Sequence, residues 1–151
     1  MILSPERVSF DRITEIVFQG SRIASLDDYH RLRAQGVRAC VDLKLEGADP
    51  WSFEAFLWLP TADQQAPSRA LLHLGIGFLR ECERARLPVF VHCMAGVGRS
   101  STLVLAYLLA GTFRDSRVRD AMDFLCARRA VANPNPAQIE AAIEAARTYE
   151  G

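Results

Sequence analysis

The 151-residue chain has no Cys-x-x-Cys pair, no excess charge of either sign and no long apolar run. Its four cysteines, at 40, 82, 93 and 126, are spaced for neither a zinc site nor a disulfide framework. Adjacent His92 and Cys93 are poor joint ligands as well, because neighbours at a strand end point to opposite faces. Eighteen basic and eighteen acidic residues cancel, which removes the electrostatic footprint of a nucleic-acid or membrane partner. The longest apolar stretch, Leu103 to Ala110, falls well short of the roughly 20 residues that cross a bilayer. A charged-then-apolar export segment is lacking at the N-terminus. With no repeat, low-complexity run or linker, the expectation is one domain over residues 1–151: a cytoplasmic monomer without metal or cofactor.

What the chain does contain is an alternation of strand and helix signals. Val8 to Gln19 reads as one or two strands closed by Gly20-Ser21. Ser25-Leu26-Asp27-Asp28 opens a helix that turns Leu26, Tyr29 and Leu32 inward and stops at Gly36. Val37–Leu43 is a strand with a polar exit from Lys44 to Pro50. Ala55–Leu59 is a second strand, which runs out into a loop from Pro60 to Pro67. Ser68 to about Arg86 is a helix striped by Leu71, Leu72, Ile76, Leu79 and Cys82 and terminated before Pro88. Three helices close the chain, over Ser100–Ala110, Ser116–Arg129 and Pro136–Tyr149, the last with Asn135 as cap. The pattern predicts an α/β fold, a mostly parallel sheet of roughly four to five strands flanked by helices. Ligands in such sheets bind beyond the carboxyl ends of the strands, where three of these loops should gather on one rim.

The most informative segment is Val89-Phe90-Val91-His92-Cys93-Met94-Ala95-Gly96-Val97-Gly98-Arg99-Ser100-Ser101. A strand runs into a glycine-bearing loop that opens an apolar helix. Gly96 and Gly98 permit a tight turn on which backbone N–H groups converge, and the helix adds its positive end at the same point. Together with Arg99 these features favour negative charge on the Cys93 sulfur and capture of a phosphate's oxygens. The loop therefore predicts phosphate chemistry by a cysteine nucleophile, with Met94, Ala95, Gly96, Val97, Gly98 and Arg99 as the substrate-binding residues. An arginine at a helix start opposes the dipole, a placement that makes sense if a dianion binds there.

His-Cys-x-x-Gly-x-x-Arg-Ser resembles the signature of the cysteine-dependent protein tyrosine phosphatase superfamily, and the short chain resembles its small dual-specificity and archaeal or bacterial members. The resemblance implies a phosphocysteine intermediate on Cys93, a phosphate clamp at Arg99, and a Ser100 hydroxyl that assists the departing sulfur. By the residues alone, Ser100 reads equally as a helix N-cap. The resemblance also implies that His92 hydrogen-bonds loop backbone and steadies Cys93.

A general acid must protonate the leaving oxygen. Asp63, in Trp58-Leu59-Pro60-Thr61-Ala62-Asp63, has the position and loop context of the family's acid loop, although Ala62 replaces the proline of the stricter pattern. A solvated loop aspartate is the plain alternative, with Glu46 and Asp49 as substitute acids. Gln138 is the candidate for positioning the hydrolytic water, and Asn135 reads as a cap. Arg128 and Arg129 form either a basic rim or a solvated helix end. Trp51, Phe53 and Trp58 either stack on substrate or anchor loops. Cys40, Cys82 and Cys126 read as small core residues; the alternative pairs Cys40 with an oxidised Cys93, as in some relatives.

The expected substrate is a phosphoprotein carrying phosphotyrosine, with phosphoserine and phosphothreonine as a wider range. The uncharged Met94, Ala95 and Val97 argue against inositol lipids. Three alternatives stay open: a phosphatase of a non-protein monoester such as a phosphoinositide or nucleotide, a phosphate-binding pseudo-phosphatase, and another oxyanion-handling cysteine enzyme such as a sulfurtransferase or arsenate reductase.

Overall fold

The computed structural model describes residues 7–151. Its strands are β1 (Phe10–Arg12), β2 (Val17–Gly20), β3 (Ala39–Lys44), β4 (Ala55–Thr61) and β5 (Val89–His92). The helices are α1 (Leu26–Ala34), α2 (Arg69–Arg84), α3 (Arg99–Ala110), α4 (Val118–Arg128) and α5 (Pro136–Thr148). The strands form one five-stranded sheet in the order β1-β2-β5-β3-β4. Only the β1–β2 pair is antiparallel; β2–β5, β5–β3 and β3–β4 are parallel. This is the α/β architecture that the alternating pattern predicts.

Strand alternation sorts the sheet into two faces. Ala39, Val41 and Leu43 of β3, with Val89 and Val91 of β5, join the large cluster under α2, α3 and α5. Cys40 and Phe90 face the other way, into a smaller cluster with Leu32 of α1. Every residue of α3 is buried, so this helix is the core's central rod. Fully burying an aliphatic side chain such as Leu103, Val104 or Leu105 contributes roughly 1.5–3 kcal/mol each. That packing fixes the axis, and hence the N-terminus, of the helix that follows the signature loop.

Several boundaries differ from the sequence reading. Leu26 is 58% exposed, and Asp28 takes the inward place, where it accepts a hydrogen bond from the Ala24 amide. Lys44 ends β3 instead of opening a loop, and β4 continues through Pro60 to Thr61. Proline is tolerated there because β4 is an edge strand. α4 begins at Val118 with Arg117 as its cap, because Asp120 accepts from the Arg117 amide. α3 begins at Arg99 with Gly98 as its N-cap, so Ser100 is not the cap.

Candidate active site

β5 is the central strand, and its carboxyl end delivers His92 and Cys93 to the rim beside β3 and β2. The turn from Cys93 to Gly98 is held from outside by its carbonyls. Cys93 O faces His92 Nδ1 at 3.2 Å, and Met94 O accepts from the Arg22 amide at 2.9 Å. Ala95 O and Gly96 O accept from the Arg129 guanidinium at 3.3 and 2.8 Å. Val97 O accepts from the Asn133 amide at 2.9 Å, and Gly98 O from both the amide and hydroxyl of Thr102. With every carbonyl from Cys93 to Gly98 tied outward, the peptide N–H groups are left to turn into the cup. Gly96 has φ +73°, and a Cβ there would lie 2.5 Å from both Arg129 Nη2 and the Gly20 carbonyl carbon. No other residue fits this position without displacing the brace beneath the loop.

Cys93 is buried at the floor of a cleft of about 300 Å³ that is also lined by Asp63, Gln64, Arg99, Asn133, Asn135 and Gln138. Its sulfur lies 3.4 Å from Ser100 Oγ. The predicted loop positions Met94, Ala95, Val97 and Gly98 line the same cleft.

Arg99 is only 2% exposed and is not the unpaired cation that its place at a helix start suggested. Nη1 donates to Glu46 Oε1 at 2.8 Å and to Thr61 O at 2.8 Å, and Nη2 reaches Glu46 Oε2 at 3.4 Å. Burial alone would lower the Arg99 pKa, but the hydrogen bond to Glu46 and the nearby charges of Cys93 and Asp63 raise it. That same hydrogen bond holds Glu46 below the usual carboxylate range. Nε has no hydrogen-bond partner among the described residues and lies 3.8 Å from Asp63 Oδ1. The Nη1–Nη2 end of the fork is thus committed to Glu46. The Nε–Nη2 edge is the one free to take two oxygens of a phosphate.

Asp63 is 73% exposed on the rim, and its Oδ1 accepts from the Gln64 amide at 3.0 Å. The two substitute acids are otherwise engaged. Glu46 pairs with Arg99, while Asp49 lies buried with Oδ2 at 2.5 Å from His92 Nε2 and Oδ1 at 3.1 Å from Lys44 Nζ. Burial would raise Asp49, but the hydrogen bond from His92 and the charges of His92 and Lys44 outweigh it and hold Asp49 low. His92 therefore bridges the Cys93 carbonyl to a buried ion pair, consistent with a supporting role.

Gln138 lines the cleft, but both ends of its amide are engaged: Nε2 donates to Gln65 O and Oε1 accepts from the Asn135 amide, each at 2.9 Å. Asn135 caps α5 and donates through Nδ2 to Gln64 O at 2.9 Å. Both residues hold the acid loop, and one Nε2 hydrogen and one Oε1 lone pair of Gln138 have no assigned partner in these contacts. Arg129 is buried beneath the signature loop, and Arg128 lies over the Phe124 ring, so the pair forms no basic rim. Trp51 and Phe53 pack on Tyr29, and Trp58 Nε1 donates to Lys44 O; these aromatics anchor loops.

The Cys40–Cys93 pairing does not fit. Cys40 faces the α1 side of the sheet and Asp49, whereas Cys93 belongs to the α3 side. Burial, followed by the charges of Asp49 and Asp42, pushes the Cys40 thiol up. Cys40, Asp49 and His92 bring potential ligand atoms within 4.8 Å of one another. The Lys44 ammonium, 2.7 Å from Asp42 and 3.1 Å from Asp49, already supplies that pocket's cation.

Sequence reasoning missed Gln19, and it offered Arg129 only as a basic rim or a solvated helix end. Gln19, on β2, is fully buried and donates through Nε2 to Ser100 Oγ at 3.1 Å and Ser101 Oγ at 2.9 Å. The available signal was a lone polar residue between Phe18 and Gly20 in an otherwise apolar strand.

Comparison with known proteins agrees with this geometry. The model of the dual specificity phosphatase catalytic domain matches residues 18–148. Dual specificity protein phosphatase 14 of Mus musculus is 30% identical over 126 residues, covering 82% of this chain and 62% of that protein. Dual specificity protein phosphatase 22 of Homo sapiens is 42% identical over 83 residues, covering 53% of this chain and 43% of that protein. The solved structure of PTPMT1 in complex with PI(5)P superposes with a TM-score of 0.79 at 25% identity, over 91% of this chain and 94% of that one. The chain spans from about a third to less than two thirds of the length of the curated relatives it matches. The matched span runs from β2 to the end of α5, with the Cys93–Arg99 loop inside it: the chain belongs to the dual specificity phosphatase catalytic-domain family.

Proposed function

We propose that this domain hydrolyses phosphomonoesters on protein side chains through a phosphocysteine intermediate, phosphotyrosine first and phosphoserine or phosphothreonine as a wider range. One observation carries the reading: a buried cysteine sulfur inside a loop whose carbonyls are all anchored outward, beside an arginine with one free donor edge. A phosphate seated there would satisfy the orphaned Nε of Arg99, which otherwise costs about 1–3 kcal/mol as an unpaired buried donor.

In the first step the Cys93 thiolate attacks phosphorus in line with the departing ester oxygen, which takes a proton from Asp63. The loop amides of residues 94–99 and the Arg99 fork stabilise the charge on the equatorial oxygens. In the second step Asp63, now a carboxylate, accepts a proton from water as that water attacks phosphorus. The S–P bond breaks, and the sulfur leaves as thiolate beside the Ser100 hydroxyl. No step draws on a metal or an organic cofactor.

The lining of the cleft supports this substrate class. Its loop residues Met94, Ala95 and Val97 are uncharged, and Asp63 is an acidic group on its rim. Such a site suits a single phosphate on a neutral or basic scaffold better than a polyanionic headgroup. PTPMT1, solved with PI(5)P, makes a phosphoinositide the relevant competitor. No helix among the described residues is long and apolar enough to cross a membrane, and we infer a monomer taking a phosphoprotein from the cytoplasm.

The test is initial rates on phosphotyrosine, phosphoserine and phosphothreonine peptides, phosphoinositides and nucleotides, with Cys93→Ser as control. Turnover of the phosphotyrosine peptide that vanishes in Cys93→Ser, with the fold retained, is the expected result. Preference for a phosphoinositide would replace the substrate assignment. Turnover that survives Cys93→Ser would refute the mechanism. Binding without turnover would indicate a pseudo-phosphatase, and full activity of Asp63→Asn would remove the acid assignment.

A further inference from the structure

The buried amide of Gln19 is costly to the fold. Its Oε1 has no hydrogen-bond partner among the described residues, while the side chain is wholly inaccessible to solvent. A leucine would fill that strand position without an orphaned acceptor. What the amide accomplishes is specific: its two Nε2 hydrogens reach Ser100 Oγ at 3.1 Å and Ser101 Oγ at 2.9 Å, across the β2–α3 contact. Ser100 Oγ in turn lies 3.4 Å from Cys93 Sγ.

The geometry points to Gln19 as a positioning residue that sets the hydroxyl orientation of Ser100 and so aims its proton at the Cys93 sulfur. A hydroxyl has one hydrogen to give and accepts through its oxygen. When Nε2 donates to Ser100 Oγ, the serine's own hydrogen turns away from the amide, and the sulfur is the acceptor on its other side. An amide nitrogen donates and does not accept, so with Nε2 turned to both serines the polarity is set, unlike that between two hydroxyls. Ser101, held by the same nitrogen, keeps the amide from rotating.

The consequence falls on the second chemical step. Water attacks phosphorus, Asp63 takes the water's proton, and the S–P electron pair returns to sulfur as a thiolate. A hydrogen bond from Ser100 at that instant stabilises the leaving sulfur, and a disordered hydroxyl does so less often. A Ser100 proton aimed this way also favours thiolate over thiol at Cys93 before substrate binds, which the alkylation midpoint reports. Arg99 and Asp63 are the charged groups facing the sulfur, with Glu46 behind Arg99; none of them touches Gln19 in the contacts described.

The experiment compares wild type, Gln19→Leu, Ser100→Ala and the double variant on two readouts. The first is the pH midpoint of Cys93 alkylation by iodoacetamide, followed by peptide mass spectrometry. The second is the p-nitrophenol burst from p-nitrophenyl phosphate in rapid-quench runs, which reports phosphocysteine accumulation. Only the second readout rests on the phosphatase reading. If that reading fails, wild type shows no turnover and the alkylation arm still decides the role of Gln19. The expected result is a midpoint moved upward in Gln19→Leu and Ser100→Ala, and a burst followed by a steady rate lowered roughly tenfold. The double variant should be no worse than Ser100→Ala alone, and Gln19→Leu should resist urea at least as well as wild type. An unmoved midpoint in Gln19→Leu, or effects that add in the double variant, would overturn the proposal. Gln19→Met, closer in shape, repeats the test if the leucine variant does not fold.

Discussion

Arg129→Met separates the strength of the fold from the shape of the cup. The wild-type guanidinium is 1% exposed and donates to Gly96 O at 2.8 Å, Ala95 O at 3.3 Å and Asp11 Oδ2 at 2.9 Å. Methionine keeps the length of the side chain and its burial but offers no donor. Asp11 is 43% exposed and can turn to water, so its loss counts for little. The two loop carbonyls are the expensive part, at about 1–3 kcal/mol for each acceptor left unmet. Because the freed carbonyls recover part of the sum of about 2–6 kcal/mol by turning to water, a total of about 2–4 kcal/mol is expected, which lowers Tm by roughly 5–15 °C for a domain of this size. The protein should remain folded, because domains of this kind hold about 5–15 kcal/mol.

The larger effect should be catalytic. Freed Ala95 and Gly96 carbonyls can rotate toward water, and each rotation carries the following amide, of Gly96 or Val97, out of the cup. Losing one preorganised donor typically costs about 100-fold in rate or more. The assay is kcat/KM on p-nitrophenyl phosphate at a temperature where urea titration shows the variant fully folded. Arg129→Lys should fall close to Arg129→Met, because one ammonium cannot serve two carbonyls and Asp11 at once. A variant with the expected drop in Tm and an unchanged kcat/KM would refute the claim that Arg129 shapes the loop.

Asp63→Asn should lower turnover of phosphotyrosine by roughly 100-fold but that of p-nitrophenyl phosphate less, because a good leaving group needs little protonation; equal losses on both would contradict the acid role. Asn135→Asp keeps a capping oxygen for α5 but loses the Nδ2 donor to Gln64 O, so it should mimic a milder Asp63→Asn in the same leaving-group comparison without a large change in Tm. Asp49 is held below the ordinary carboxylate value, so its pairing stabilises the fold above about pH 4 and is lost as pH falls through the folded value. Asp49→Asn should therefore cost about 1–3 kcal/mol near neutrality and flatten the acid side of a urea-stability profile, whereas an unchanged profile would contradict the pairing. Burial pushes the Cys82 thiol up to about 11 and Cys40 up as well, so iodoacetamide near neutral pH should modify Cys93 well before either, as peptide mapping would show.

The parts legible from the sequence are those in which local pattern and chemistry coincide. Val89–Val91 followed by Cys93, Gly96 and Arg99 announces a strand, a turn and a candidate anion site within one window, and the strand-helix alternation yields the sheet. What stayed hidden depends on residues far apart in the chain. Arg129 looked like a helix-end cation because its neighbour Arg128 is one; only packing puts Arg129 beneath Gly96, whose missing Cβ makes room for it. Gln19 is 81 positions from Ser100, and nothing in Val17-Phe18-Gln19-Gly20 names its partner. Leu26 was assigned inward by periodicity, yet Asp28 won that face because the backbone turn before α1 needed an acceptor for the Ala24 amide.

The hidden residues share a function that the visible ones lack. In the proposed mechanism Cys93, Arg99 and Asp63 meet the phosphate, and their chemistry can be read from residue type. Arg129 and Gln19 lie beneath the site, and Asn133 and Asn135, which also line the cleft, brace it with them; each fixes one degree of freedom: carbonyl direction, hydroxyl orientation, acid-loop position or the turn at Val97. Preorganised donors stabilise a transition state only if they are already aimed before the substrate arrives. The anion site is therefore set by long-range contacts as much as by the signature loop itself. A chain that kept every signature residue but lost these braces would still bind phosphate through Arg99, and would turn it over slowly.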